Sequence, residues 1–212
     1  PHDINGLEQL FGGRTPFVDE LDRLFTLTSE EMQLDVADVT GLMGQYAHGN
    51  EPSHHMAYLY NYVGMLAEQE LTRRLLDEMY APTPEGIIGN EDCGQMSAWY
   101  MFNCAGFYPV APSSNIYNIG SPCVEALSIR MSNGKEIKMT TENWSEENVY
   151  IKELYVNGKK YDKSYLTYED VQAGITLHFV MSGKPNYKRA VFGGRPSRLV
   201  VVTGQNDVLP DI

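Results

Sequence analysis

The spacing of apolar residues changes near residue 115, and this change limits the possible folds more than any other feature. Before it, apolar residues recur every three or four positions, which predicts helices. After it they alternate, which predicts strands. A stretch rich in Pro and Ser, from Pro109 to Asn115, lies at the change. We therefore predict an α+β chain, with a helical region over residues 1–112 and a β-rich region over residues 113–212.

Four stretches of the first region have helical spacing. The first begins at Pro16 behind an N-capping Thr15, and the other three cover residues 52–64, 71–79 and 93–107. Helices without a sheet of their own must bury their apolar faces on one another, and four are few for a closed helical architecture. We therefore expect the last helices of a larger α-helical domain, followed by a β appendage.

Two Asn-Gly pairs predict two β-hairpins in the second region. Asn133-Gly134 lies between candidate strands at 126–131 and 136–140, and Asn157-Gly158 lies between 149–156 and 159–161. Further candidate strands cover residues 175–181 and 199–202. The expected region is antiparallel.

The charge of the chain is very uneven. Residues 1–110 carry 17 acidic and four basic side chains, for a net −13, within a total of −12. A chain of this charge is unsuited to a nucleic-acid partner, because binding phosphates requires clustered Lys and Arg. The acidic half can instead be a solvated surface, or it can attract a divalent cation or stabilise positive charge developing in a substrate. No apolar run approaches the roughly 20 residues that span a bilayer.

The three cysteines exclude a disulfide scaffold and permit at most one internal pair. Cys93 and Cys104 fall on one predicted helix. At 1.5 Å per residue they would lie roughly 16 Å apart, which is too far for a bond.

Two turns carry a composition that core packing does not require. Residues 48–55 read HGNEPSHH, and residues 86–100 read GIIGNEDCGQMSAWY, each with Gly-Asn-Glu before a helix. A pair of carboxylate sites at neighbouring helix ends is what glycoside hydrolysis uses, and hard oxygen ligands suit Ca²⁺. We therefore expect the two turns to converge on one pocket. The alternative is that Asn50 and Asn90 or Asp92 are plain N-caps.

Histidines and aromatic residues accompany the two turns. His48 and His55 are candidates for polar contact with a substrate, and Trp99 is one of several aromatic residues that could pack against a sugar ring. Zinc binding by His54 and His55 is disfavoured, because adjacent helical residues point about 100° apart and no H-E-x-x-H spacing exists.

At these turns the sequence resembles glycoside hydrolase family 92. The resemblance is carried by HGNEPSHHMAYLYN from His48, by GNEDCGQMSAWY from Gly89 and by GFYP from Gly106. It continues through YNIGSP from Tyr117 and NGK from Asn157 to about Pro185.

The resemblance implies a calcium-dependent, inverting exo-α-mannosidase with an N-terminal β-sandwich and an (α/α)₆ barrel. The chain would supply the last barrel helices and an antiparallel, sandwich-like β segment, and its partners would be the rest of the same enzyme and a mannose-containing glycan. An α-1,2 linkage and a periplasmic or extracellular location are expected. The general acid would be a Glu that precedes Pro1, so this chain would lack it and be inactive alone.

The resemblance also implies roles for individual residues. Asp92 matches the catalytic base, and Asn90 belongs with it, where it would orient water. Asn50 and Glu51 match the motif that contacts metal and sugar. Substrate contacts are expected from Glu51, His48, His55, Glu91 and Trp99.

Two other functions remain open from the residues alone. The first is a non-catalytic carbohydrate-binding module, with Trp144, Tyr150 and Tyr155 as its platform on the β half. The second is an interaction domain in which both turns are only helix caps.

Overall fold

The computed structural model describes residues 2–28, 40–112 and 114–192. As predicted, helices precede strands. The helices of the first half are α1 (Ile4–Leu10), α2 (Arg14–Thr26), α3 (Leu59–Tyr62), α4 (Ala67–Met79) and α5 (Gln95–Ala105). None of the helices in these ranges is long and apolar enough to cross a membrane.

Three helix boundaries differ from the sequence predictions. Helix α2 begins one residue before Thr15 behind an N-cap at Gly13, so Pro16 lies in its first turn, where its missing N–H is harmless. The predicted helix over 52–64 is instead two 3₁₀ turns, Glu51–Ser53 and Met56–Tyr58, followed by α3. The Ser53 hydroxyl donates to the carbonyls of Ala47 and Asn50, which favours a turn over a regular helix.

The third difference concerns Cys93, which lies outside α5. Asp92, Cys93 and Gly94 all have positive φ angles, of 45°, 60° and 89°, so the helix cannot begin before Gln95. The prediction that Cys93 and Cys104 share one helix is therefore wrong.

The strands form three sheets. Their bounds are β1 (Leu42–Met43), β2 (Tyr46–Ala47), β3 (Phe107–Tyr108), β4 (Ile116–Ile119), β5 (Ala126–Arg130), β6 (Glu136–Glu142), β7 (Tyr150–Val156), β8 (Lys159–Lys160), β9 (Tyr165–Thr167) and β10 (Ile175–Ser182). Their orders are β1-β2, β3-β4-β9 and β5-β6-β10-β7-β8.

Both predicted hairpins are confirmed. β5 pairs antiparallel with β6 across Asn133-Gly134, and β7 pairs antiparallel with β8 across Asn157-Gly158. Asn157 and Gly158 have φ angles of 50° and 77°, as a two-residue turn of the type I′ kind requires.

The prediction of an entirely antiparallel region is wrong, because β10 runs parallel to β6. The chain between them contains β7, β8, β9 and the short helix α6 (Tyr168–Gln172), which is long enough for a parallel crossover. A last described helix, α7, covers Tyr187–Phe192. The predicted strand at 199–202 lies outside the described residues.

The described residues form two apolar cores, one in the helical half of the chain and one in the β half. The first is built from the helices and β1-β2, with Phe17, Phe25, Tyr58, Leu75 and Trp99 among its members. The second joins the inner faces of the three-stranded and five-stranded sheets, with Phe107, Ile119, Leu154, Leu166 and Phe179. The barrel and sandwich descriptions, and the boundary at residue 112, stay predictions.

Buried polar bonds connect the helices to the sheets. The Gln69 side-chain oxygen on α4 accepts the Ile151 backbone N–H of β7 at 2.8 Å, and the Asn61 amide donates to the Ile119 carbonyl at 2.9 Å. Both bonds are buried, and each joins a helix side chain to the backbone of a strand.

Gln69→Ala should lower the free energy of unfolding by about 1–3 kcal/mol, because it leaves the buried Ile151 N–H without an acceptor. Glu70→Ala, at the exposed neighbouring position, is the matched control and should change it by less than about 0.5 kcal/mol. Urea denaturation measures both. Equal effects of the two substitutions would show that the bond contributes nothing to stability.

Candidate functional site

The two acidic turns contact each other through their glycines. A methyl group on Gly89 would stand 3.5 Å from both the Cα and the carbonyl oxygen of Gly49, and 3.0 Å from the Thr40 hydroxyl. Gly89 also has a φ of 75°, which favours glycine. The predicted approach of residues 48–55 to residues 86–100 is therefore present as a contact, and the shared pocket stays a prediction.

His54 connects the two turns beneath this contact. Gln95, the first residue of α5, donates its side-chain N–H to His54 Nδ1 at 3.1 Å. Nδ1 is then the acceptor nitrogen, so the proton is on Nε2, which donates to the His48 carbonyl at 2.9 Å. The Trp99 indole N–H donates to the His54 carbonyl at 3.1 Å. One residue of the first turn thus makes two bonds to α5.

His48 is buried between aromatic rings. Its centroid lies 4.4 Å from that of Trp99 and 4.7 Å from that of His54. Its two nitrogens bond the hydroxyls of Tyr46 at 2.9 Å and Tyr80 at 2.8 Å. Burial, and secondarily the neighbouring His54, lowers the pKa of His48 to about 3, so its ring is neutral near pH 7.

The backbone at residues 92–94 is strained. Three successive left-handed residues are rare outside glycine, and each non-glycine one costs roughly 1–2 kcal/mol. Glu91 holds the turn at its edge by accepting the Ser97 N–H at 2.8 Å and the Ser97 hydroxyl at 2.7 Å. These two bonds lower the pKa of the Glu91 carboxyl.

The strained turn presents Asp92 to solvent. Its carboxylate is exposed and makes no hydrogen bond to any part of the chain that the structure describes. The side chains of Asn90 and Asn50 are likewise exposed and unpaired there. Neither helix start has a side-chain cap, since α5 begins behind Gly94 and the 3₁₀ turn behind Asn50 without one. Plain N-capping therefore does not explain these residues.

The first turn offers hard oxygen ligands. Glu51 is half-buried, and its Oε1 atom is enclosed without a hydrogen-bond partner among the described residues. Asn50 adds an exposed amide oxygen beside it. A cation would satisfy the buried oxygen, which fits the donor preference of Ca²⁺. The described residues contain no cluster of three or more His, Cys, Asp or Glu side chains suited to a metal.

Three residues predicted to contact substrate lie away from the exposed surface of the turns. His48 and Trp99 have no exposed area. They therefore pack inside the protein and support the turns, rather than lying where a substrate could contact them. His55 lines an apolar cavity against α1 and α2, next to Leu7 and Leu24. Burial lowers the pKa of His55 as well.

Sequence reasoning missed the residues that join the turns. From the sequence, His54 is a candidate only for zinc binding, and no pattern singles out Gln95 or Tyr80. The one available signal was the position of Gln95 next to the Asp-Cys-Gly turn, because a polar residue there can reach a neighbouring loop.

The proposed platform of a binding module is half-buried. Trp144, Tyr150 and Tyr155 are all partly covered, and the Trp144 N–H is enclosed without a partner among the described residues. The Tyr155 hydroxyl donates to Glu153 at 2.7 Å.

Comparison with known proteins identifies relatives across nearly the whole chain. Residues 1–183 match the model of the glycosyl hydrolase family 92 catalytic domain. An uncharacterized secreted glycosidase from Arthroderma benhamiae is 32% identical over the whole chain, which covers 24% of that protein.

Solved structures from Bacteroides thetaiotaomicron are also similar. A family GH92 α-mannosidase is 58% identical with a TM-score of 0.85, over 93% of this chain and 26% of that one. The same enzyme, in complex with mannoimidazole, gives a TM-score of 0.86 at 57% identity over the same shares. A family GH92 inverting mannosidase is 32% identical with a TM-score of 0.78, over 93% of this chain and 28% of that one. The chain thus spans about a quarter of the length of these relatives.

The neutral state of His48 should make stability depend on pH. Its pKa is about 3 in the fold and about 6.5 in an unfolded chain, so its contribution is complete above pH 6.5 and is lost as the pH falls towards 3. The free energy of unfolding should fall by up to about 1.4 kcal/mol per pH unit in this window.

Denaturation at a series of pH values measures this slope. His48→Gln should be less stable at pH 7 but should show a shallower slope, whereas His178→Gln, on β10 in the other half of the chain, is the control. Identical slopes for the two variants would contradict the account of His48.

Proposed function

The chain belongs to glycosyl hydrolase family 92. We propose that it contributes the general base of an active site that hydrolyses terminal α-mannosidic bonds. Two observations support this proposal. Gly89 of the second turn is close to Gly49 of the first, and the exposed Asp92 carboxylate has no hydrogen-bond partner among the described residues. Two of the similar solved structures are described as α-mannosidases of this family.

Asp92 is the proposed general base. An exposed carboxylate without hydrogen-bond donors keeps its oxygens available to accept a proton from water, and inversion requires such a water on the face opposite the leaving group. Asn90, two residues earlier and also unpaired among the described residues, can orient that water through its amide. The general acid would come from a Glu preceding residue 1, as the resemblance implies.

The buried network supplies rigidity. His54, Gln95 and Trp99 fix the first turn to α5, so the two polar turns keep one relative position. General-base catalysis needs this, because the base must lie within hydrogen-bond reach of the attacking water. His48, neutral and bonded on both nitrogens, is a structural support in this arrangement.

Ca²⁺ is the proposed cofactor, held in part by Asn50 and Glu51. The support is the enclosed, unpartnered Glu51 Oε1 atom. When bound, the ion would supply positive charge that holds the vicinal hydroxyls of a mannose ring. Asn50 and Glu51 would then orient the sugar by fixing the ion at the edge of the first turn.

A mannose-containing glycan is the proposed substrate, with an α-1,2 linkage to its terminal residue. The complex of a similar enzyme with mannoimidazole supports a mannose-like ligand. An uncharged glycan also suits the acidic half of the chain, which would repel anions. We propose a periplasmic or extracellular location, in line with the secreted relative. The alternative function, a carbohydrate-binding module, is not supported by any contact that Trp144, Tyr150 or Tyr155 makes.

Asp92→Asn in the full-length protein should lower kcat for mannose release from α-1,2-mannobiose about 10²–10⁴-fold, because the attacking water loses its base. Asp19→Asn, at an exposed position on α2, is the control and should keep full activity. Undiminished release by Asp92→Asn would disprove the assignment of the base. Faster release from α-1,3- or α-1,6-mannobiose would refute the linkage alone.

Glu51→Gln should reduce the stabilisation that Ca²⁺ gives to the full-length protein. A ligand that binds only the folded state raises the melting temperature, and the neutral amide removes one charge from the proposed site. Melting curves with CaCl₂ and with EDTA measure the difference. Glu85→Gln, an exposed acidic residue elsewhere, should respond to calcium like the parent. An equal calcium response in all three proteins would exclude Glu51 as a ligand.

A further inference from the structure

Two cysteines lie side by side where the helices meet the sheets. The Sγ atoms of Cys104 and Cys123 are 2.9 Å apart, although 19 positions separate them in the chain. Cys104 is buried in the last turn of α5, and Cys123 is half-buried between β4 and β5. A disulfide needs the two atoms to approach by only about 0.9 Å more.

The surroundings of the pair favour an ionised thiol. Arg73, buried on α4, donates to the carbonyl of Pro122 at 3.0 Å, so its guanidinium lies next to the pair. The hydrogen bond from Cys123, with further contributions from Tyr100 and the Arg73 charge, lowers the pKa of the Cys104 thiol. The thiolate is the form that attacks a disulfide.

Cys93 is a poor alternative partner. It is exposed and precedes α5, whereas Cys104 is near the far end of that helix, and the helical path from Gln95 to Cys104 alone is roughly 13.5 Å long. Among the described residues, the short Sγ separation is found only between Cys104 and Cys123.

We propose that Cys104 and Cys123 form a disulfide when the protein meets a disulfide oxidant. When the proton that the two sulfurs share passes from Cys123 to Cys104, the more accessible Cys123 thiolate attacks the oxidant and forms a mixed disulfide. The sulfur that leaves takes up the proton from Cys104 and departs as one thiol. The Cys104 thiolate then attacks the Cys123 sulfur, forms the Cys104–Cys123 bond and expels the second thiol. Two electrons and two protons pass from the cysteines to the oxidant, which is reduced to two thiols.

The bond would fasten α5 to the segment that connects β4 with β5. The N-terminal end of α5 carries Gln95 and follows the Asp92 turn, and its C-terminal end carries Cys104. The cross-link would thus hold the far end of the helix that positions the candidate base.

Oxidised glutathione is the probe for the experiment. The folded full-length protein is incubated with it, unreacted thiols are alkylated, and the digested protein is mapped by mass spectrometry without reduction. The expected product is a linked pair of peptides that contain Cys104 and Cys123, lighter by two hydrogen atoms than their sum. Dithiothreitol should separate them.

Two variants complete the test. Cys93→Ser should still give the linked pair, and Cys123→Ser should leave Cys104 free to be alkylated once the protein is unfolded. Separate alkylation of both cysteines in the folded, oxidised parent would overturn the proposal. A stable glutathione adduct on Cys123, or a link from either cysteine to Cys93, would do the same.

Discussion

The hydrogen bonds of His54 hold the candidate site together. Its ring accepts from Gln95 and donates to the His48 carbonyl, and its own carbonyl accepts from Trp99. Because the ring is buried and its pKa is lowered by burial, the neutral tautomer that makes both ring bonds is favoured. Two polar turns about forty residues apart in sequence are thereby fixed to one helix.

The exposed residues of the second turn have an unfavourable backbone geometry. Asp92 and Cys93 adopt left-handed backbone angles, while Glu91 binds Ser97 through both of its oxygens. Strain of this kind persists where the surrounding structure enforces it, and it is found often at functional sites. The result is a carboxylate presented to solvent with its oxygens free, which is what a general base requires.

The sequence predicted the order of helices and strands well, because hydrophobic periodicity and Asn-Gly turns act locally. It did not predict the parallel pairing of β6 with β10, since strand partners distant in sequence leave no local signal. The convergence of the turns followed from their composition. The buried roles of His48 and Trp99 did not, because a polar or aromatic residue near a site looks the same whether it lies above or below the surface.

Both turns are expected to bind one ligand together. Hydrogen–deuterium exchange of the full-length protein, with and without mannoimidazole in the presence of calcium, measures this. Residues 48–55 and residues 89–97 should gain protection together, at the same ligand concentration. Protection of one turn alone, or of neither while the ligand is bound, would contradict it.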